Sequence, residues 1–382
     1  MERALTNNSR MLCFTFNQNC TCFCIGTERG FIIYKSSPLN DYYIRDLNGG
    51  IGLITMFNNS NLIGLVGGGK RPFSSLNKFV IWNDATSKVV LEITVDFKIK
   101  NIKVKNSLIA LVGKKKIRIY TYKSLEEIMD YKEIDVISTS ENKNGIFTIN
   151  LDPTNHIIAY LSKNIGEIII KTYTKIKNKE DDFEISDNTK SNSNFTIKKI
   201  GAHQTEITCM SLNHKGDIIA SCSQKGSIIR LYCTTTGSLL KELRRGTDSA
   251  EIYSLNFDKT SQYILCSSSK GTVHIFNTKK NESVKKNPKS FLSSLAPMLN
   301  LQNTILDNEW SFAQFHTKCT INNIANFCGK DNDIVVLTED GMYYRAKLDL
   351  KGGECKSLQE KSFLGMENRD DDFYYDDLKI FE

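Results

Sequence analysis

The sequence predicts an all-β chain folded as a seven-bladed β-propeller of the WD40 type. Three observations carry that prediction. Short apolar runs rich in Val, Ile, Tyr and Phe are separated by turns of Asn, Asp, Gly and Ser, and only five prolines occur in 382 residues, as expected of many short strands joined by tight turns. Helix-period segments are nearly absent, and Lys123 to Tyr131 (K-S-L-E-E-I-M-D-Y) is the one stretch with room for a turn or two of helix. Finally, one unit recurs along the chain: an apolar strand, a polar turn, a second apolar strand ending in small residues, a Gly-containing hairpin and an Ile/Tyr-rich third strand.

In chain order the units begin near Phe14, Ile54, Ile102, Ile146, Ile207, Ile252 and Ile321. Most starts lie about 40 to 48 residues apart, close to the period of a four-stranded propeller blade. Each small sheet buries its faces only against its neighbours, so all the blades are needed to close the ring. The fifth and sixth units are the clearest, I-T-C-M-S-L-N-H-K-G-D-I-I-A-S-C-S-Q-K-G-S-I-I-R-L-Y (Ile207 to Tyr232) and I-Y-S-L-N-F-D-K-T-S-Q-Y-I-L-C-S-S-S-K-G-T-V-H-I-F (Ile252 to Phe276). Two longer intervals hold insertions. Lys175 to Lys199 is polar and low in complexity and reads as a flexible loop between blades 4 and 5. Asn277 to Asn308 carries Lys279, Lys280, Lys285, Lys286 and Lys289 ahead of F-L-S-S-L-A-P-M-L, where Phe291, Leu292, Leu295, Met298 and Leu299 share one amphipathic face. A basic segment followed by an apolar face suits an anionic membrane surface; a loop folded back on its own small core satisfies the same pattern. Pro297 limits any helix there to a short one. The propeller is thus expected over residues 1–365, with an acidic tail over 366–382.

A hydrophobic content of 40% suffices for a sizeable core. The net charge of +7 is mild and evenly spread, which gives no reason to expect nucleic acid as a partner. No window approaches 18 consecutive apolar residues and the start M-E-R-A-L-T-N-N-S-R lacks the apolar core of a signal peptide, so a cytoplasmic protein is expected. Eleven cysteines, an odd number without a C-x-x-C pair, read as reduced buried thiols. In C-T-C-F-C the spacing of two puts Cys20, Cys22 and Cys24 on one face of a strand, where packing is expected and metal is not. No cofactor is expected. The chain has no P-loop, no G-x-S-x-G and no H-E-x-x-H, and its five histidines are scattered, so no enzyme is expected either.

The stretch L-R-R-G-T-D, Leu243 to Asp248, carries the most chemistry. It falls on the outermost strand of blade 5, where neighbouring side chains point to opposite faces. Arg244 and Arg245 therefore diverge, one toward the hairpin of blade 5 and the other toward blade 6. Arginine's planar fork suits phosphate oxygens, and Gly246 lets the backbone turn close to a ligand. Candidate further contacts are His203 in G-A-H-Q-T-E with Ser223 and Ser227 around S-Q-K-G-S, and Ser267, Ser269, Thr272 and His274 in S-S-S-K-G-T-V-H. Hydroxyls and imidazoles hydrogen-bond phosphate and inositol hydroxyls. Taken singly, each also reads as an ordinary hairpin residue or part of a solvated charged face.

The run L-R-R-G-T-D-S-A-E-I-Y-S-L-N-F, with K-G-S-I-I-R-L-Y before it and K-G-T-V-H-I-F after it, resembles the signature region of the PROPPINs, phosphoinositide-binding seven-bladed propellers that include the WIPI proteins of autophagy. Leu65 to Asp84 (L-V-G-G-G-K-R-P-F-S-S-L-N-K-F-V-I-W-N-D) and Glu309 to His316 (E-W-S-F-A-Q-F-H) agree, and the resemblance runs from about Leu12 to Leu348. It implies a non-enzymatic peripheral membrane scaffold that binds phosphatidylinositol 3-phosphate and the 3,5-bisphosphate at two sites. His203, Ser223, Ser227 and Arg244 would form the first; Arg245, Thr272, His274 and one of Ser267 to Ser269 would form the second. The loop with Phe291, Leu292, Leu295, Met298 and Leu299 would enter the bilayer. Ser227 stands where members often have Thr, and Leu243 where they often have Phe; both are mild departures.

The resemblance also implies a cytoplasmic monomer recruited to autophagosomal precursors, endosomes, the vacuole or another organelle. Its partners would be lipid-transfer or conjugation proteins of autophagy, with G-G-G-K-R-P-F near Pro72 and Phe73 as an exposed platform. In the tail E-N-R-D-D-D-F-Y-Y-D-D-L-K-I-F-E, Tyr375 and Leu378 fit the aromatic-x-x-aliphatic peptides that add a strand to ubiquitin-like modifiers; a solubilising tail, or one docked on the last blade, fits as well. The reading from another functional class is a WD40-type protein-protein scaffold without lipid binding.

Overall fold

Seven antiparallel sheets follow one another along the chain in a computed structural model that describes residues 10–39, 42–105, 107–173, 195–279, 287–288, 309–329 and 333–364. Each sheet contains a meander of four strands in sequence order, two sheets carry a short fifth strand, and no helix occurs among the described residues. The innermost strands, Met11–Phe16, Ile51–Met56, Asn101–Lys105, Phe147–Ile149, Ile207–Leu212, Ile252–Phe257 and Asn323–Cys328, supply much of the lining of a central cavity of about 1280 Å³. The fold is a seven-bladed β-propeller.

Hydropathy falls from the second strand of each blade outward. Cys22–Thr27, Leu62–Gly67, Tyr263–Ser268 and Asp333–Thr338 are buried along their whole length, whereas the outer Lys356–Ser362 is almost entirely exposed. Apolar clusters occupy the boundaries between blades, seven in all. Burial therefore runs around the ring from blade to blade, as radial packing demands. The polar turns between first and second strands are held by side chains: Asn213 Oδ1 accepts the Gly216 and Ile218 N–H groups at 2.9 and 3.1 Å, and Asp258 Oδ1 accepts that of Tyr263 at 2.6 Å.

Several expectations need correction. Lys123 to Tyr131 is a set of turns closed by the Asp130 N–H donating to Glu127 O at 2.9 Å, and a strand begins at Tyr131. Residues 195–199, read as loop, belong to Phe195–Gly201, the outer strand of blade 4, so the insertion lies within blade 4 rather than after it. An outer strand faces water and needs few apolar residues, which is why it looked like loop. The second insertion, read as a blade 6 loop, runs between Thr272–Asn277 and Ala313–His316 of that blade. Its base is pinned by Asn287, whose Oδ1 accepts the Asn277 N–H and whose Nδ2 donates to Asn277 O, both at 2.7 Å. Phe291, Leu292, Leu295, Met298, Leu299, Tyr375 and Leu378 lie outside the described residues.

The cysteine reading changes too. Cys20 sits in a turn with φ +57° and packs toward blade 7, while Cys22 and Cys24 pack toward blade 2, so the three do not share a face. Burial raises the thiol pKa values of Cys22 and Cys24. Phe73 is half-buried against the blade 1 and 2 cluster, because the Phe73 N–H donates to Gly50 O at 3.0 Å; Lys70, Arg71 and Pro72 remain exposed.

Two short strands extend the blades. Glu309–Trp310 pairs parallel with the outer strand of blade 5, and Gly353–Glu354 pairs parallel with the outer strand of blade 6.

Candidate functional site: two clefts flanking the outer strand of blade 5

The outer strand of blade 5, Leu239–Arg244, sets the geometry. Ile228 stands opposite Arg244, Ile229 opposite Leu243 and Arg230 opposite Glu242. Residues directly opposite share a face, so Arg244 lies with Arg230 on the side facing blade 4. Leu243 is fully buried on the other side, against Ile252 and Leu255 of blade 6. The Arg245 N–H donates to Ser227 O at 2.9 Å and continues the ladder, so Arg245 falls on the blade 6 side. One backbone step thus places one guanidinium in each of two clefts.

In the first cleft His203 follows the outer strand of blade 4, and its N–H donates to Gly166 O at 3.0 Å. Its Nε2 lies 3.0 Å from Ser221 Oγ. Ser221 stands opposite Arg230, which donates through Nη1 to Ala202 O at 2.7 Å and through Nε to Glu242 at 2.6 Å. Burial, and secondarily the Arg230 cation, pushes the His203 imidazole down to about 4. Ser223 shares the face of Ser221 by strand alternation. Arg244 lies over the Trp310 ring, 5.6 Å from its centroid, a cation–π contact. Among the described residues it has no carboxylate partner.

In the second cleft Arg245 is 5% exposed. Its Nε donates to Gly226 O at 3.0 Å and its Nη2 to Asp248 O. It too has no carboxylate partner among the described residues. His274 is buried, with Nδ1 3.3 Å from Ser311 Oγ, and its imidazole is pushed down to about 4 by burial, then by Arg245 and His316. Thr272 Oγ1 lies 3.0 Å from His316 Nδ1. Gln314 stands opposite His274 and donates to Ser311 Oγ at 2.8 Å.

The expected serines are partly regrouped. Ser227 stands opposite Arg245, away from the Arg244 face. Cys266 is opposite His274, so the cleft-facing residues of that strand are Cys266 and Ser268. Ser267 points the other way, pairing with Ser254 Oγ at 2.7 Å and donating to Asn323 O at 3.4 Å, at the boundary with blade 7. Ser269 Oγ accepts the Glu251 N–H at 3.2 Å. Arg230, Ser221, Trp310, Gln314 and His316 were not singled out. A signal for Arg230 exists: aligning I-R-L-Y with V-H-I-F places it at the position of His274.

Gly226 joins the hairpin of blade 5 to blade 6. Its φ is +63°, and a Cβ there would lie 1.9 Å from Ala250 O. Gly226→Ala is expected to cost about 2–4 kcal/mol, combining left-handed strain with backbone displacement. Urea unfolding would show a lower midpoint; an unchanged midpoint would mean that the hairpin relaxes freely.

A family model described as PROPPIN matches residues 10–364. The chain is 29% identical over 346 residues to SVP1-like protein 2 of Pichia angusta, covering 88% of this chain and 90% of that one. It is 28% identical over 362 residues to Autophagy-related protein 18e of Arabidopsis thaliana, with 94% and 89% covered. The solved complex of KlAtg21 with the coiled coil of AgAtg16 shares the fold at a TM-score of 0.63 and 19% identity, covering 93% of this chain and 99% of that chain.

Proposed function

The chain belongs to the PROPPIN family, and on that premise we propose that it is a non-enzymatic peripheral membrane scaffold of autophagy or a related organelle process. Its ligands are phosphatidylinositol 3-phosphate and phosphatidylinositol 3,5-bisphosphate, held in the clefts on either side of the outer strand of blade 5. One observation carries the reading: Arg244 and Arg245 turn to opposite sides of one strand, Arg244 on the face that also carries Arg230 and Ser221 and Arg245 within reach of the His274 imidazole, and neither is neutralised by a carboxylate among the described residues. Cations left without acids beside neutral donors suit a phosphorylated headgroup.

The first cleft would use His203, Ser221, Ser223, Arg230 and Arg244. The second would use Arg245, Ser268, Thr272, His274 and His316. Phe291, Leu292, Leu295, Met298 and Leu299 would enter the bilayer beside them. One headgroup or one short apolar loop attaches weakly; two headgroups and a loop on one rigid edge multiply the avidity. The far blades stay free for proteins, and the coiled coil bound to KlAtg21 supports a protein partner of that kind. Flotation with vesicles containing phosphatidylinositol 3-phosphate, against vesicles containing phosphatidylinositol, tests the reading; equal flotation would leave a protein-only scaffold.

The histidine contribution to binding should depend on pH with a definite sign. His203 and His274 are neutral at pH 7 in the free protein, since both titrate at about 4. A phosphate in the cleft favours the imidazolium and raises the bound value above the free one. The histidine contribution to affinity is therefore expected to grow as pH falls from 7.5 to 5.5, while the phosphate's own second proton, taken up at about pH 6, works against it. Without ligand the sign is opposite: between 6.5 and 4 the unfolded chain takes up protons that the folded one does not, so stability falls. Titrations with soluble headgroup at three pH values, wild type against His203→Asn with His274→Asn, measure the first effect, and an affinity ratio that does not grow toward pH 5.5 would contradict it.

A further inference from the structure

The connection between the third and fourth strands of blade 7, Met342–Lys347 and Lys356–Ser362, leaves its own blade. Gly353–Glu354 crosses to blade 6 and pairs parallel with its outer strand, Gly353 with Ala313 and Glu354 with Gln314. The Gly353 N–H donates to Phe312 O at 3.0 Å and the Cys355 N–H to Gln314 O at 2.8 Å. Gly352 and Gly353 have φ of +76° and +95°, and a Cβ on Gly352 would lie 2.6 Å from Phe312 O. Side chains rarely adopt such angles, so the strap is built to run here. It sets Glu354 Oε2 3.4 Å from His316 Nε2, the imidazole whose Nδ1 meets Thr272.

The second cleft is therefore polarised. Arg245 and His316 both act on His274, and Glu354, 58% exposed like His316, stands beyond His316 at the rim. The first cleft differs, because its carboxylate, Glu242, is paired with Arg230. A headgroup with phosphates at separate ring positions cannot seat both at Arg245. With one phosphate at Arg245, a second that reaches the His316 end of the cleft would meet the Glu354 carboxylate.

We propose that Glu354 is a specificity-determining residue of the second cleft, admitting headgroups with one ring phosphate and disfavouring those with two. This rests on the phosphoinositide reading above. Opposition between a phosphate and a carboxylate across several ångströms of partly screened cleft is of the order of a tenfold change in affinity. Calorimetric titration of the full chain with short-chain, soluble phosphatidylinositol 3-phosphate and 3,5-bisphosphate tests it. Glu354→Gln is expected to tighten the second-cleft event for the bisphosphate by about tenfold while changing the monophosphate by less than about twofold. Glu354→Asp should keep the wild-type preference, and adding Arg245→Ala should remove the responding event. An equal gain for both lipids, no gain, or a response that survives Arg245→Ala would overturn the assignment. If the wild-type chain binds neither lipid, the lipid reading itself fails and the assignment falls with it.

Discussion

Replacing Arg244 and Arg245 together with alanine is expected to abolish flotation with vesicles containing phosphatidylinositol 3-phosphate. Each guanidinium–phosphate contact is charge-assisted and contributes about 1.5–3 kcal/mol. Losing both removes about 3–6 kcal/mol, roughly a hundredfold to ten-thousandfold in affinity. On a vesicle the loss is compounded, because the second headgroup and the loop bind at high effective concentration only once the first contact holds. The single variants separate the roles. Arg244 contacts the Trp310 ring and is otherwise available to an anion, so Arg244→Ala should weaken binding and leave the urea midpoint near wild type. Arg245 is 5% exposed and also satisfies the Gly226 and Asp248 carbonyls, so Arg245→Ala should weaken binding and lower the midpoint, by about 1–3 kcal/mol for the stranded acceptors. Arg244→Lys should be intermediate, since it keeps the charge and loses the fork. A double variant that floats like the wild type would sink the lipid reading.

The divergence of the two arginines was legible in sequence because alternation in a strand is a local rule, but its directions were not: Arg245 meets the blade 5 hairpin at Gly226 O and Arg244 faces blade 4. It needs only that Leu243 and Arg244 be extended, and Leu243 turns inward as that rule requires. The blades were legible for a similar reason: their second strands are apolar throughout, and hairpin glycines such as Gly226 and Gly271 hold positive φ. What sequence could not provide was register. The run Ser267-Ser268-Ser269 contains no mark of which hydroxyl faces the cleft; the pairing of Cys266 with His274 decides it. Outer strands were hard to see because water covers one side, which hid Phe195–Gly201 inside a polar insertion. The strap carrying Glu354 was invisible, since a two-residue strand has no period, and its place depends on a backbone partner some forty residues earlier.

Among the described residues the ring closes without an exchanged strand, and that makes Phe363→Ala the substitution with the largest expected cost in stability. Blade 1 is made entirely from its own four strands and blade 7 from its own four. Among the described residues only side chains and cross-blade hydrogen bonds therefore join the two ends. Phe363 is fully buried there, edge-on to Phe23 at 5.4 Å and to Tyr34 at 5.6 Å, while Phe23 stacks on Tyr34 at 4.8 Å. Two phenols reach across: Tyr34 donates to Phe363 O and Tyr343 to Ser36 O, each at 2.8 Å. Removing a buried phenyl ring typically costs about 3–5 kcal/mol. The upper end is expected here, because the aromatic partners lie on both sides of the junction and cannot collapse into the cavity without parting the blades. Tyr34→Phe keeps the ring and loses one hydrogen bond, so it should cost only about 1 kcal/mol. Urea unfolding measures both losses, and amide exchange shows where they act: with Phe363→Ala, protection should fall first in blades 1 and 7. A loss below about 1 kcal/mol, or protection falling evenly around the ring, would show that closure does not depend on this cluster.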